Sequence, residues 1–415
     1  MAVTIDFLTK EIFVKIVTKI LGVIRTLYLL YVFGVSKILD NFYFAYSIVG
    51  LILIVNILFE TTYSREINLF RERLYFHKFF LKKLNLFVLF FSSVLLFLSF
   101  FLVYDKEIYL NIIVLTIWSL LNINSYYLLL VYRYLRYNQK ILTYYLLISF
   151  LNVLLLIVYL KAPFVSKEYD FLSLSLSILL SEFCVFYIVF GKYIRLVIRS
   201  KGELNIFLSS KDFKKVALIM LVLIIISLID IVDKSFLSSF GEGAISIYTY
   251  GYYAPLIIRQ ALDIKSNFFV QINLLRDGKK INQVFFSTVK KICLFFVIAA
   301  SVLLLIVQVF DKNIIALNIV TSNQFFEIKD VLLVGLVITP FYMVWDLFYR
   351  FYYRRKIIFR LLIVSLIGLI FNVLLNYILG IYFGFKILGI MYSTLAVFMF
   401  YNFYSYYIFF VKKRN

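Results

Sequence analysis

The run Leu84-Asn85-Leu86-Phe87-Val88-Leu89-Phe90-Phe91-Ser92-Ser93-Val94-Leu95-Leu96-Phe97-Leu98-Ser99-Phe100-Phe101-Leu102-Val103-Tyr104 contains no charged residue and stops at Asp105-Lys106. Its apolar residues are near-continuous and show none of the period-two alternation of a half-buried strand. A helix rises 1.5 Å per residue, so about 20 such residues cross a hydrocarbon core of about 30 Å. Lipid offers no partner for backbone N–H and C=O groups, which leaves helices or closed barrels. Without alternation, the helix is the reading.

Runs of the same kind flank this one on both sides. Twelve spans are read, at about 9–33, 41–62, 84–104, 109–131, 142–160, 171–191, 216–237, 244–268, 292–310, 331–349, 361–384 and 387–411. The expected fold class is all-α, a polytopic membrane protein. Composition agrees: 64% of the 415 residues are hydrophobic and 16% charged, against about 45–50% and 25% in soluble domains. The surplus apolar surface must face lipid. The longest basic connection, about 192–215, divides the chain into two six-helix bundles, 1–200 and 210–415. A short repeat supports the division. Val32-Phe33-Gly34 followed by Phe42-Tyr43-Phe44-Ala45-Tyr46 is echoed by Ser239-Phe240-Gly241 followed by Tyr248-Thr249-Tyr250-Gly251-Tyr252.

The net charge of +21 is explained by where the charges lie. Lys and Arg concentrate in every second connection, with Arg65, Arg71, Arg73, Lys78, Lys82 and Lys83 after the second span and Arg133, Arg136 and Lys140 after the fourth. The pattern repeats through the tail at Lys412, Lys413 and Arg414. The intervening connections hold isolated lysines such as Lys37, Lys106 and Lys386. Alternation of this kind is the positive-inside pattern. It places both termini in the cytoplasm of a bacterial inner membrane, with basic loops against anionic membrane lipids. Nucleic acid is not expected as a partner. One histidine, His77, in a basic loop and two separated cysteines, Cys184 and Cys293, read as buried packing residues, give neither metal site nor disulfide framework. No cofactor is expected, no cleavable signal precedes the first span, and no Gly-rich phosphate loop is present.

Charges inside spans carry the functional signal, because each costs about 2.5–3.5 kcal/mol at mid-bilayer unless it meets a partner or water. They cluster on the first two helices of each half: Lys10, Glu11, Lys15, Lys19 and Arg25; Glu60; Asp230, Asp233 and Lys234; Arg259, Asp263 and Lys265. Lys15 and Lys19 share one helix face, as do Asp230 with Lys234 and Arg259 with Asp263. The last two pairs can satisfy themselves, and Lys10, Glu11 and Asp346 near span ends can snorkel to the interface. The unbalanced cations of the first span point to a wet, positive cavity. Such a cavity suits an amphiphile with a phosphate or pyrophosphate head.

The stretch Thr18-Lys19-Ile20-Leu21-Gly22-Val23-Ile24-Arg25, then Phe33-Gly34, Asp40-Asn41-Phe42-Tyr43 and Ala45, resembles the start of the lipid II flippase family. That family belongs to the multidrug/oligosaccharidyl-lipid/polysaccharide (MOP) exporter superfamily. Phe59-Glu60-Thr61-Thr62-Tyr63-Ser64 is similar to a further family segment, as are Asp230 to Lys234 and Gly243-Ala244-Ile245-Ser246 with Tyr250. The resemblance implies a MOP/MATE-like fold and places Lys19, Arg25, Asp40 and Glu60 in or near the cavity. The departures are Lys19 for an arginine, Thr26 for an aspartate, Leu53-Ile54 in place of paired arginines, Tyr253 for a cavity arginine, and twelve spans where fourteen are usual.

Together these give the expected function. It is a flippase for an undecaprenyl-pyrophosphate-linked oligosaccharide, an O-antigen or capsular repeat unit, working by alternating access with 1–200 rocking against 210–415. Lys15, Lys19, Arg25 and Arg259 would bind the pyrophosphate, and Asp40, Glu60, Asp230, Asp233, Lys234 and Asp263 would gate or couple ions. A polysaccharide polymerase and a chain-length regulator are the protein partners this implies. Rival readings are a lipid II flippase, a cation-coupled drug antiporter, which would prefer an acidic cavity, and a polysaccharide polymerase or ligase. The last would need a large catalytic outer loop, and no catalytic residue is assigned.

Overall fold

The computed structural model describes residues 2–62, 67, 72–161, 170–201, 210–261, 278–316, 321–354 and 357–411. Among the described residues there are twelve α-helices and no strand. They are α1 (Ala2–Phe33), α2 (Lys37–Thr62), α3 (Leu74–Leu102), α4 (Lys106–Tyr134), α5 (Asn138–Lys161) and α6 (Asp170–Arg199). They continue with α7 (Ser210–Ser238), α8 (Ala244–Ala261), α9 (Gly278–Ala316), α10 (Ser322–Arg354), α11 (Ile358–Leu375) and α12 (Lys386–Tyr406). Two of them widen into π-helical turns, α11 over Asn376–Tyr382 and α12 over Tyr407–Val411. Each helix lies on one expected span, and eight are long and apolar enough to cross a membrane by length and composition. The chain is a multi-pass helical membrane protein.

Packing divides it into two units. One comprises Met1–Leu29 with Asn41–Ser227; the other comprises Leu30–Asp40 with Leu228–Asn415.

In the first unit α4 and α5 both pack on α6, and α3 on α4. The run from Leu84 to Leu102 shows how a helix reads in lipid. Leu84, Val88, Ser92, Leu95 and Ser99 of α3 are buried, at helical spacing. The opposite face carries Leu86, Phe90, Val94, Phe97 and Phe101, all exposed, with Phe90 at 70%. A water-facing helix would carry polar groups there. The buried stripe of α6 is small and hydroxylated, with Ser173, Ser177 and Ser181 at four-residue spacing. Small residues let helix backbones approach closely where no hydrophobic effect pulls helices together. Ser177 and Ser181 donate to the Leu174 and Ser177 carbonyls, so neither hydroxyl is orphaned.

The alternation of ends is visible in this unit. Asn41 Nδ2 donates to Glu107 Oε2 at 2.9 Å, and Ser175 donates to Asn111, so α2, α4 and α6 start at one end. At the other end Lys78 Nζ of α3 donates to the Ser200 carbonyl after α6, at 3.1 Å. The connections there are the basic ones.

In the second unit α10 packs on α8 and α12, and α11 on α12. Trp345 stacks on Tyr401 with ring centroids 4.4 Å apart. Gly368 of α11 lies against the same ring, where a Cβ would come within 2.2 Å of the Tyr401 hydroxyl. Phe285, Phe348, Phe351 and Phe409 close the far part of the core. Gly34 and Gly241, the repeat glycines, both take positive φ, 60° and 107°.

Three expectations are corrected. His77 is not in a loop: α3 begins at Leu74, and His77 is fully buried with its Nδ1 2.6 Å from the Tyr127 hydroxyl. Basic neighbours disguise an amphipathic helix start, in which one face turns inward. Cys293 is exposed and Cys184 half-buried, both free. An apolar run in a membrane helix has a lipid face as well as a core face, so such a run does not by itself imply burial. Finally, α6 extends to Arg199 and α7 begins at Ser210, so much of the presumed midpoint linker is helix.

Candidate functional site

The site begins on α1, one unbroken helix. Lys19 and Arg25 are both half-buried. Six residues of helix set them about 120° apart around the axis and about 9 Å apart along it, so they do not share a face. The Arg25 Nε is buried with no hydrogen-bond partner among the described residues. Thr26, which follows it, donates to the Gly22 carbonyl at 3.0 Å. A neutral hydroxyl gives the neighbouring guanidinium no counter-charge. The side chains of Lys15, Glu60 and Arg259, and Asp263 altogether, lie outside the described residues; the backbones of the first three are helical.

Asp40, buried in the first turn of α2, serves α8. Its Oδ2 accepts from Gly243 N–H at 2.6 Å, and its Oδ1 from Ser246 N–H at 2.7 Å and Ser246 Oγ at 2.5 Å. The first N–H groups of a helix lack partners within it, and a side chain at the residue before the helix normally supplies one. Here that residue is Gly243, which has no side chain. Its φ is +88°, and a Cβ would stand 2.2 Å from Val35 Cγ1. Glycine is therefore required, and the cap comes from a carboxylate two hundred residues away. The negative charge also suits the positive end of the helix dipole.

The charges of α7 separate into two roles. Lys234 Nζ lies 3.1 Å from Asp230 Oδ2, with Lys234 nearly buried and Asp230 half exposed. This is the pairing their four-residue spacing allows. Asp233 is buried and has no such partner among the described residues. Its Oδ1 accepts from Asn372 Nδ2 at 3.0 Å and Asn376 Nδ2 at 2.8 Å, and its Oδ2 from Thr394 Oγ1 at 2.8 Å. Ser393 in turn donates to Asn376. Asn376 is the first residue of the π-turn of α11, a widening that recurs at functional sites. Neutral donors surround a carboxylate that must exist in a low-dielectric interior. Such a centre can take up a proton. With its carboxamides turned, it can also offer oxygens alone to a small hard cation. Among the described residues no three His, Cys, Asp or Glu side chains gather as a metal site.

No family model matches the sequence, and no curated protein matches it. Solved structures do. The lipid II flippase MurJ in an inward closed conformation superposes with a TM-score of 0.70 at 17% identity, over 97% of this chain and 87% of that one. An outward-facing multidrug resistance MATE transporter gives 0.63 at 13%, over 99% and 96%. A MOP superfamily transporter from Pyrococcus furiosus gives 0.66 at 13%, over 99% and 96%. This chain has the MOP exporter fold.

On that fold lie two groups of polar residues whose members the sequence did not connect, although Glu182 itself stands out as a charge inside the sixth span. One is Asn372, Asn376 and Thr394 around Asp233. The signal was present: two asparagines four residues apart in an otherwise apolar helix. The other surrounds Glu182 of α6, 1% exposed. Its Oε1 accepts from Ser125 Oγ at 2.5 Å and Tyr144 Oη at 2.7 Å, and its Oε2 from Asn122 Nδ2 at 3.3 Å. Asn56 Nδ2 extends the chain to Asn122 Oδ1 at 3.2 Å. Leu53, Ile54 and Tyr253, where the resembling family carries arginines, are buried or half-buried.

Proposed function

We propose that this protein is a flippase that carries a polyprenyl-pyrophosphate-linked oligosaccharide across a bacterial inner membrane by alternating access. The observation that carries the reading is Arg25. A guanidinium half-buried in a spanning helix, with a buried Nε lacking any partner among the described residues, calls for an anion or water. Lys19 adds a second cation on α1, and Lys15 and Arg259 complete the proposed pyrophosphate-binding set. A pyrophosphate presents the paired oxygens that a guanidinium recognises, while the polyprenyl tail stays in lipid. The fold supports the same reading, since one of its solved members is a lipid II flippase.

The substrate proposed is a surface-polysaccharide repeat unit, O-antigen or capsule, rather than lipid II. The support is the loss of cations at Leu53, Ile54 and Tyr253, which leaves fewer contacts for an anionic head. Asp40 gates through its hold on the start of α8, and Glu60 and Asp263 join it in gating. Asp233, with Asp230 and Lys234 beside it, couples an ion. A polymerase and a chain-length regulator would receive the product. Both termini lie in the cytoplasm, on the side of the basic connections.

Complementation with a chemical readout tests this. The chain is expressed in one strain lacking its O-antigen flippase and in another depleted of its lipid II flippase. Restored surface polysaccharide in the first, without rescued growth of the second, is the expected result. Rescue of the second alone would move the substrate to peptidoglycan precursor, and rescue of neither by an inserted protein would remove the lipid-linked substrate from the account.

A further inference from the structure

The first unit contains a cleft of about 550 Å³ where α4 hands over to α5 against α6. Arg136, Lys140 and Lys192 line it, together with Tyr132, Tyr137 and Tyr193, and no carboxylate is on its wall among the described residues. None of the three cations has an ion pair or side-chain hydrogen bond among the described residues. The Tyr193 Oη is buried without a hydrogen-bond partner among the described residues. The tyrosine rings are fixed: Tyr132 packs edge-on against both Tyr137 and Tyr193 with centroids 5.5 Å apart, and its own hydroxyl donates to the Val189 carbonyl.

The backbone here breaks a local rule. Helix α4 ends with Tyr137 N–H bonded to the Tyr132 carbonyl at 2.9 Å and Arg136 N–H to the Arg133 carbonyl at 3.3 Å. This is the Schellman arrangement, whose left-handed position favours glycine. Arg136 occupies it with φ 60°. Positive-inside orientation explains the number of cations at this end. It does not require three of them around one concavity, an arginine in a glycine conformation, or an orphaned hydroxyl beside them. Residues that break a local rule without compensation inside the fold mark functional positions.

The cleft lies at the end of the bundle that carries the basic connections, where headgroups of that leaflet begin. We propose that it binds the phosphodiester headgroup of an anionic phospholipid. Arg136 takes two phosphate oxygens as a fork, Lys140 and Lys192 supply point charge, Tyr193 donates its hydroxyl, and the other rings flank the glycerol. The site is separate from the transported substrate and does not depend on that substrate's identity.

The test uses the full chain in neutral detergent, titrated with short-chain phosphatidylglycerol, phosphatidylcholine or inorganic phosphate, with thermal unfolding and native mass spectrometry as readouts. Phosphatidylglycerol is expected to bind and raise the unfolding temperature, and phosphatidylcholine not to. Arg136→Gly fits the left-handed backbone, so its lipid-free unfolding temperature should be equal or higher while phosphatidylglycerol binds about tenfold more weakly, the loss of one charge-assisted contact. Lys140→Gln with Lys192→Gln, both exposed side chains, should weaken binding in the same direction and serves if Arg136→Gly fails to fold. Unchanged binding in the variants overturns the site. Equal binding of phosphatidylcholine overturns the headgroup assignment, and protection by inorganic phosphate alone overturns the lipid as its source.

Discussion

Asp40 and Asp233 are both buried aspartates, yet their partners ask different things of them. Asp40 completes a helix start that its own glycine cannot cap. Asp40→Ala should lower stability by about 1–2 kcal/mol, the usual loss of a cap, read as an earlier unfolding transition in detergent. An unchanged transition would show that water or another group satisfies Gly243 and Ser246. Asp233→Ala leaves Asn372 Nδ2 without its acceptor, at about 1–3 kcal/mol, while Thr394 and Asn376 keep second acceptors in the Ile390 carbonyl and Asn372 Oδ1. Asp233→Asn keeps the shape and removes the charge. If Asp233 couples an ion, Asp233→Asn should insert normally but no longer respond to an imposed ion gradient, and a full response would sink that role. The α7 pair Asp230–Lys234 was legible because four residues of helix put both ends on one face. The partners of Asp233 and Asp40 were not, because they stand roughly 140 to 200 residues away and only tertiary packing brings them together.

Helices carry the signal most faithfully where their surroundings are uniform. All twelve were readable because lipid demands a continuous apolar length, whatever the neighbours. Which face turns inward was not, since both faces are apolar, as Cys293 shows; at the start of α3 the lysines around His77 hid the inward face instead. The outer face of α3 supplies a check. Phe97, 63% exposed, replaced by Lys should cost about 2.5–3.5 kcal/mol of insertion energy and lower the inserted fraction. A water-facing position would tolerate it, and full insertion would contradict the lipid assignment of that face. Inside the second unit, Gly368→Ala would drive a methyl into the Tyr401 ring. It should destabilise by about 1–3 kcal/mol as overpacking, and pairing it with Tyr401→Phe, which removes the nearest hydroxyl oxygen, should recover part of the loss.

Over the whole molecule, twelve apolar spans, alternating basic ends and the resemblance on α1, α2, α7 and α8 led to a MOP exporter fold that the structure displays. The cations of α1 were readable as residues out of place in lipid. Their geometry was not: Lys19 and Arg25 sit on different faces of α1, and Arg25 Nε is buried without a hydrogen-bond partner among the described residues. Topology follows from the same charges. A cysteine introduced at Lys140, in a background lacking Cys184 and Cys293, should react with an impermeant thiol reagent only from the cytoplasmic side, and one at Lys106 only from outside. Reversed labelling would invert the orientation. The most direct test of transport is reconstitution into liposomes with an undecaprenyl-pyrophosphate-linked oligosaccharide, following the sugar's accessibility to an external lectin over time. The account predicts protein-dependent translocation that Arg25→Ala abolishes and Arg25→Lys partly retains, with both variants inserted. Translocation by Arg25→Ala at the unmodified protein's rate would contradict it.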